Sequence, residues 1–63
     1  MSSFHQKLFY LFREGQDIKI VCMEEAQAGR LWNKGQRWLD VPRRTEAEAL
    51  ELRKRLLPRL IDS

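Results

Sequence analysis

The residues of this chain that could do chemistry fall into four groups. They are His5 beside Ser2 and Ser3, the lone Cys22, the adjacent carboxylates Glu24 and Glu25, and a basic, tryptophan-bearing stretch from residue 30 to residue 44. A nucleophile needs a base, and the base needs a third group to orient it. His5 has hydroxyl neighbours but no carboxylate close by in sequence. Cys22 alternates with its neighbours in an apolar run, where a free cysteine is read as a small buried hydrophobe rather than a reactive thiol. Glu24 and Glu25, read as neighbours on a strand, point to opposite faces and could not share a proton. The spacing of Gly15, Gly29 and Gly35 matches neither a dinucleotide-binding nor a phosphate-binding loop. One histidine and one cysteine can build neither a disulfide framework nor a four-ligand zinc site within the chain. The sequence is therefore read as non-enzymatic, with no catalytic residues, metal or cofactor, and a reducing compartment is the default.

The basic stretch carries the positive expectation. Residues 30–44 hold Arg30, Lys34, Arg37, Arg43 and Arg44 against Asp40 alone, a net charge of +4, whereas the whole chain carries +3. The excess is thus local, and the flanking segments are neutral or slightly acidic. Arginine and lysine attract phosphate at long range, arginine forks bind it in pairs, and an indole offers a flat face for stacking on an unpaired base. Arg30, Trp32, Lys34, Arg37, Arg43 and Arg44 are accordingly the candidate residues for an acidic partner, nucleic acid first. Tryptophan and arginine also dominate protein interfaces, so a protein-binding adaptor or inhibitor is the alternative.

These side chains need a frame, and 63 residues can build only a small one. A chain of this size hides roughly 60% of the surface its unfolded form exposes, which makes a partner or a second copy a reasonable expectation. Hydrophobic residues at 43% and charged residues at 33% set it apart from disordered chains. Thr45-Glu46-Ala47-Glu48 has the capping-box form and predicts a helix start. Ala49, Leu52, Leu56 and Leu60 then recur at spacings of three and four, until Pro58 stops or bends the helix. Leu56, Leu57, Leu60 and Ile61 form a dense apolar end that is read mainly as core, with pairing of two copies as a second use.

Upstream, the glycines separate short apolar runs. Ile18 to Met23 reads as a strand, and so does Lys7 to Arg13, although Ser3 and Gln6 could instead cap a helix there. Trp32-Asn33-Lys34-Gly35-Gln36-Arg37 reads as a tight hairpin with Gly35 in the left-handed region, its arms Arg30 to Trp32 and Arg37 to Val41 forming a ribbon that could enter a major groove. Pro42 would end the second arm. The alternative is a helix over Glu24 to Lys34 ended by Gly35. Strand alternation puts Arg37 and Trp38 on opposite faces, so at least one tryptophan is expected in the core.

The expected architecture is an α/β fold of the α+β type: a small, mainly antiparallel sheet of three to four short strands packed by a C-terminal helix, with residues 1–63 as one domain. Short strands followed by a Thr-Glu-Ala-Glu-Ala helix are similar in outline to the small sheet-plus-helix modules of phage and mobile-element proteins, integrase arm-binding domains among them. That resemblance implies a small regulator of nucleic acid or host proteins, and it assigns no functional residue. The longest apolar run, Leu8 to Phe12, is far short of a membrane span, and the first residues lack the pattern of a secretion signal, so a cytoplasmic location is expected.

Overall fold

The computed structural model describes residues 6–62, with side chains to residue 60. Strand β1 (Lys7–Glu14) is followed by β2 (Asp17–Glu24), helix α1 (Glu25–Asn33), β3 (Leu39–Arg43) and helix α2 (Glu46–Asp62). The strands form one antiparallel sheet in the order β2-β1-β3, so the fold is α+β with a C-terminal helix, as expected.

The first hairpin is set by its turn. Glu14 and Asp17 close a ladder that runs back without a break to Lys7 and Glu24. Gly15, at φ 67°, takes the first of the two loop positions, where a two-residue hairpin turn needs a positive φ. Arg13 holds the loop by donating from Nε to the Gly15 carbonyl at 2.9 Å.

Alternation along β1 explains why Leu8 to Phe12 is apolar throughout. Leu11 is completely buried in a cluster with Ile18, Ala49 and Leu52, which places α2 on one face of the sheet. Its neighbour Tyr10 packs with Met23 and Ala28, which places α1 on the opposite face. An antiparallel strand usually has one wet face; here both are covered, and a continuous apolar run follows. Burial keeps the Tyr10 phenol protonated above its ordinary range, with the nearby Glu25 charge adding to the effect.

Helix α2 begins with half of the expected capping box: the Thr45 hydroxyl accepts from the Glu48 N–H at 3.2 Å, while the Glu48 carboxylate accepts at 3.0 Å from that hydroxyl instead of from the Thr45 N–H. The helix continues through Pro58 instead of stopping there. Leu56, Leu57 and Leu60 are half-buried against the Leu11 cluster, so these three are used within the chain, as favoured. The side chain of Ile61 lies outside the described residues, as do Ser3 and His5.

Four expectations need correction. Glu24 and Glu25 are not neighbours on a strand, since β2 ends at Glu24 and α1 begins at Glu25. Residues 25–33 are helical, so Arg30 to Trp32 is no hairpin arm and the groove-entering ribbon does not exist. Gly35 has the expected positive φ, 95°, but uses it to end α1. The Gln36 N–H reaches the Leu31 carbonyl at 2.9 Å and the Gly35 N–H reaches Trp32 at 3.0 Å, the paired bonds of a Schellman stop. Cys22 is exposed: it lies on the same face of β2 as Ile18 and Ile20 but is not among the residues packed against the Leu11 cluster. Finally, β3 runs one residue past Pro42, which an edge strand tolerates because its outer N–H has no partner to lose. Its pairing with β1 is irregular between Phe9 and Leu11, and Asp40 at φ 57° sits at that irregularity with its carboxylate accepting from the Val41 N–H at 2.6 Å.

Candidate functional site

Helix α1 and the turn that stops it assemble the candidate site. Ala28 and Leu31, three residues apart, face the sheet, which leaves Arg30 and Lys34 exposed on the outer side near the helix C-terminus. Cations there also complement the helix dipole. Beyond the turn the chain doubles back and sets Trp38 against Trp32, with ring centroids 4.5 Å apart. Trp38 is anchored in turn by an edge-on contact with the buried Tyr10 at 4.8 Å. Arg37 then lies over the outer Trp32 ring, its guanidinium carbon 4.7 Å from the centroid. A cation at this distance is attracted by the indole face and fixes the orientation of the ring.

One corner of the molecule, the end of α1 and its turn, therefore carries the Arg37–Trp32 stack and, on the outer side of the helix, Arg30 and Lys34. Among the described residues none of the three cations makes a salt bridge. Both tryptophans are half-buried: Trp38 joins the Tyr10 cluster, which meets the expectation of at least one core tryptophan, and Trp32 forms the outer layer.

Arg43 and Arg44 are not part of that corner. Arg43 lies half-buried at the end of β3, where Nη2 is 3.9 Å from Asp40 Oδ1 and the groove beside it is lined by Glu48 and Glu51 of α2. Those neighbours belong to the opposite face of the sheet from α1. Arg44 is exposed in the link to α2. The expected set is thus divided: the hairpin would have carried Arg30, Trp32, Lys34 and Arg37 with Arg43 and Arg44 at its base, whereas a helix plus an edge strand puts Arg43 on the other face of the sheet.

The structure adds residues that sequence reading passed over. Next to the corner is a cleft of about 470 Å³ between the β1–β2 hairpin and the end of α1. Phe12, Val21, Met23 and Leu31 supply its apolar lining, and Arg13, Lys19 and Arg37 supply its cations. Arg37 belongs to both the corner and the cleft, so the two form one continuous surface. Glu14, the one carboxylate on the lining, lies 3.9 Å from Lys19. The signal was present in the alternation: Phe12 pairs directly with Lys19 across the ladder, which sets an aromatic ring beside an amine on the α1 side of the sheet.

Among the described residues no group of three or more His, Cys, Asp or Glu is placed to hold a metal ion, and no helix is long and apolar enough to cross a membrane. No protein-family model, no curated protein and no solved structure matches the chain. Its chemistry has to be drawn from the corner and the cleft themselves.

Proposed function

We propose that this protein is a non-enzymatic nucleic-acid-binding module whose contact surface is the corner formed by Arg30, Trp32, Lys34 and Arg37. The observation that carries this reading is the Arg37–Trp32 stack at the end of α1, the helix whose outer side exposes Arg30 and Lys34. Three cations with no salt bridge among the described residues provide a phosphate-attracting surface, and the Arg37 guanidinium held against the indole provides a planar group for a base or sugar. Arg13 and Lys19 extend the positive surface along the cleft. Arg43 is left out, because it pairs with Asp40 and borders a groove on the other face of the sheet whose lining mixes Glu48 and Glu51 with Arg55.

An Arg30→Ala, Lys34→Ala double variant, titrated by fluorescence anisotropy against labelled oligonucleotides, tests the reading. It should bind at least tenfold more weakly than the parent, while an unchanged affinity would remove the corner from the interface. A second reading, a protein-binding adaptor, draws on Val41, which is 64% exposed on the edge strand β3 and could accept a partner strand. Val41→Lys should leave oligonucleotide binding unaltered if the corner is the site.

A further inference from the structure

We propose that the cleft beside Arg37 receives one unpaired base, so that the nucleic acid this protein binds is single-stranded. The proposal rests on the nucleic-acid reading of the corner and narrows it to a strand class.

The cleft, about 470 Å³, falls within the range of about 300–1,000 Å³ typical of small-ligand pockets. Its apolar lining includes the ring of Phe12, which is only half-buried and borders open space. A base stacked on that ring would exchange water for an aromatic face, whatever its identity. Gln27 and Gln36 stand on the rim. A primary amide both donates and accepts hydrogen bonds, which suits the mixed edge of a base and would be wasted on a purely anionic ligand. Lys19 and Arg37 flank the opening for the phosphates on either side. The Lys19–Glu14 pair is exposed on both partners and 3.9 Å long, so it costs little to redirect the amine.

Paired bases in a duplex are stacked on both faces and cannot enter a cleft without being extruded at a cost of a few kcal/mol. An acidic peptide with apolar residues would share the charge complementarity. It offers no flat face to Phe12, however, and it brings carboxylates toward Glu14.

Anisotropy titrations at one low salt concentration would compare three labelled oligomers of about 12 nucleotides, inside the site-size range of single-strand binders. These are a mixed-sequence single strand, its duplex, and a single strand in which every position is abasic. The parent should bind the single strand at least tenfold more tightly than the duplex or the abasic strand. Phe12→Leu should weaken single-strand binding about 5- to 100-fold and leave the abasic strand within twofold. Gln27→Ala, an exposed change that spares the core, should act in the same direction more weakly, which keeps the test valid if Phe12→Leu unfolds.

Equal binding of single strand and duplex, both lost in the Arg30→Ala, Lys34→Ala variant, would overturn the cleft proposal and leave the corner reading standing. No binding of any oligomer would overturn both. A glutamate- and leucine-containing peptide that displaces the labelled strand at lower concentration than unlabelled strand does would also overturn the proposal.

Discussion

The guanidinium of Arg53 on α2 meets the carboxylate of Asp17 at the start of β2, Nη2 to Oδ1, at 2.6 Å. The same arginine donates from Nε to the Ile18 carbonyl at 2.8 Å, and Asp17 Oδ1 also accepts from the Ile18 N–H at 2.7 Å. Asp17 and Arg53 thereby satisfy the backbone groups of Ile18 on an edge strand and tie α2 to the sheet. The Ile18 N–H first, and Arg53 second, hold the Asp17 carboxyl below its usual 3.8. A depressed carboxylate stabilises the fold above its unfolded-state pKa, and the benefit is lost as pH falls through the lower folded value.

Arg53→Met should therefore lower the midpoint of thermal unfolding at neutral pH by a few degrees. Its further loss on acidification below pH about 4 should be smaller than that of the parent. Melting curves by circular dichroism across that range check this, and parallel pH profiles for the two proteins would remove Asp17 and Arg53 from the account of α2 docking.

Two glycines close in sequence should respond in opposite ways. Gly29 sits inside α1 with helical backbone, and nothing lies within 4 Å of where a Cβ would go. Gly29→Ala should stabilise by about 0.5–1 kcal/mol, because glycine is a poor helix former. Gly35 also has open space, but its φ of 95° disfavours any side chain. Gly35→Ala should destabilise by about 1 kcal/mol and also weaken oligonucleotide binding, since the turn positions Arg37. Chemical denaturation of both variants decides; equal effects would mean that the Schellman stop is wrong.

Cys22 is exposed. It should react with a disulfide reagent in the native protein at a rate within about tenfold of a free cysteine, at a pH where the thiolate is available. Protection by several orders of magnitude would instead support the buried position that its alternation in β2 suggests.

Much of the frame was legible in the residues. The Thr45 to Glu48 box named the start of α2, and the Ile18 to Met23 alternation named β2. Gly35 was recognised as a positive-φ position, but that conformation serves a hairpin turn and a helix stop equally well. What separates the two is the packing of Ala28 and Leu31 in the Tyr10 and Met23 cluster, a tertiary interaction with no local signature. Cys22 failed for a related reason: alternation gives the face of a strand but not how far along it a helix lies. The candidate site was half legible, since charge counting found Arg30, Lys34 and Arg37 but could not separate them from Arg43. The cleft needed the cross-strand register of Phe12 and Lys19, which a linear reading does not contain.

The split between the two sets of arginines has its own test. Arg43→Ala should change oligonucleotide affinity less than twofold, because its guanidinium sits beside Asp40 on the far side of the sheet from α1. Arg37→Ala should weaken binding at least fivefold, since it loses a phosphate contact and frees the Trp32 ring. Comparable losses from both changes would indicate a surface that wraps the β3 edge.

The most direct test is the salt dependence of single-strand binding by the parent and by the Arg30→Ala, Lys34→Ala variant. Each phosphate neutralised contributes a log-log slope of about −0.7 on a single strand, so the variant should show a slope shallower by about 1.4 as well as weaker binding. A parent that binds no oligonucleotide at tens of micromolar in low salt, or a variant with the parent's slope and affinity, would contradict the assignment of this corner as the interface.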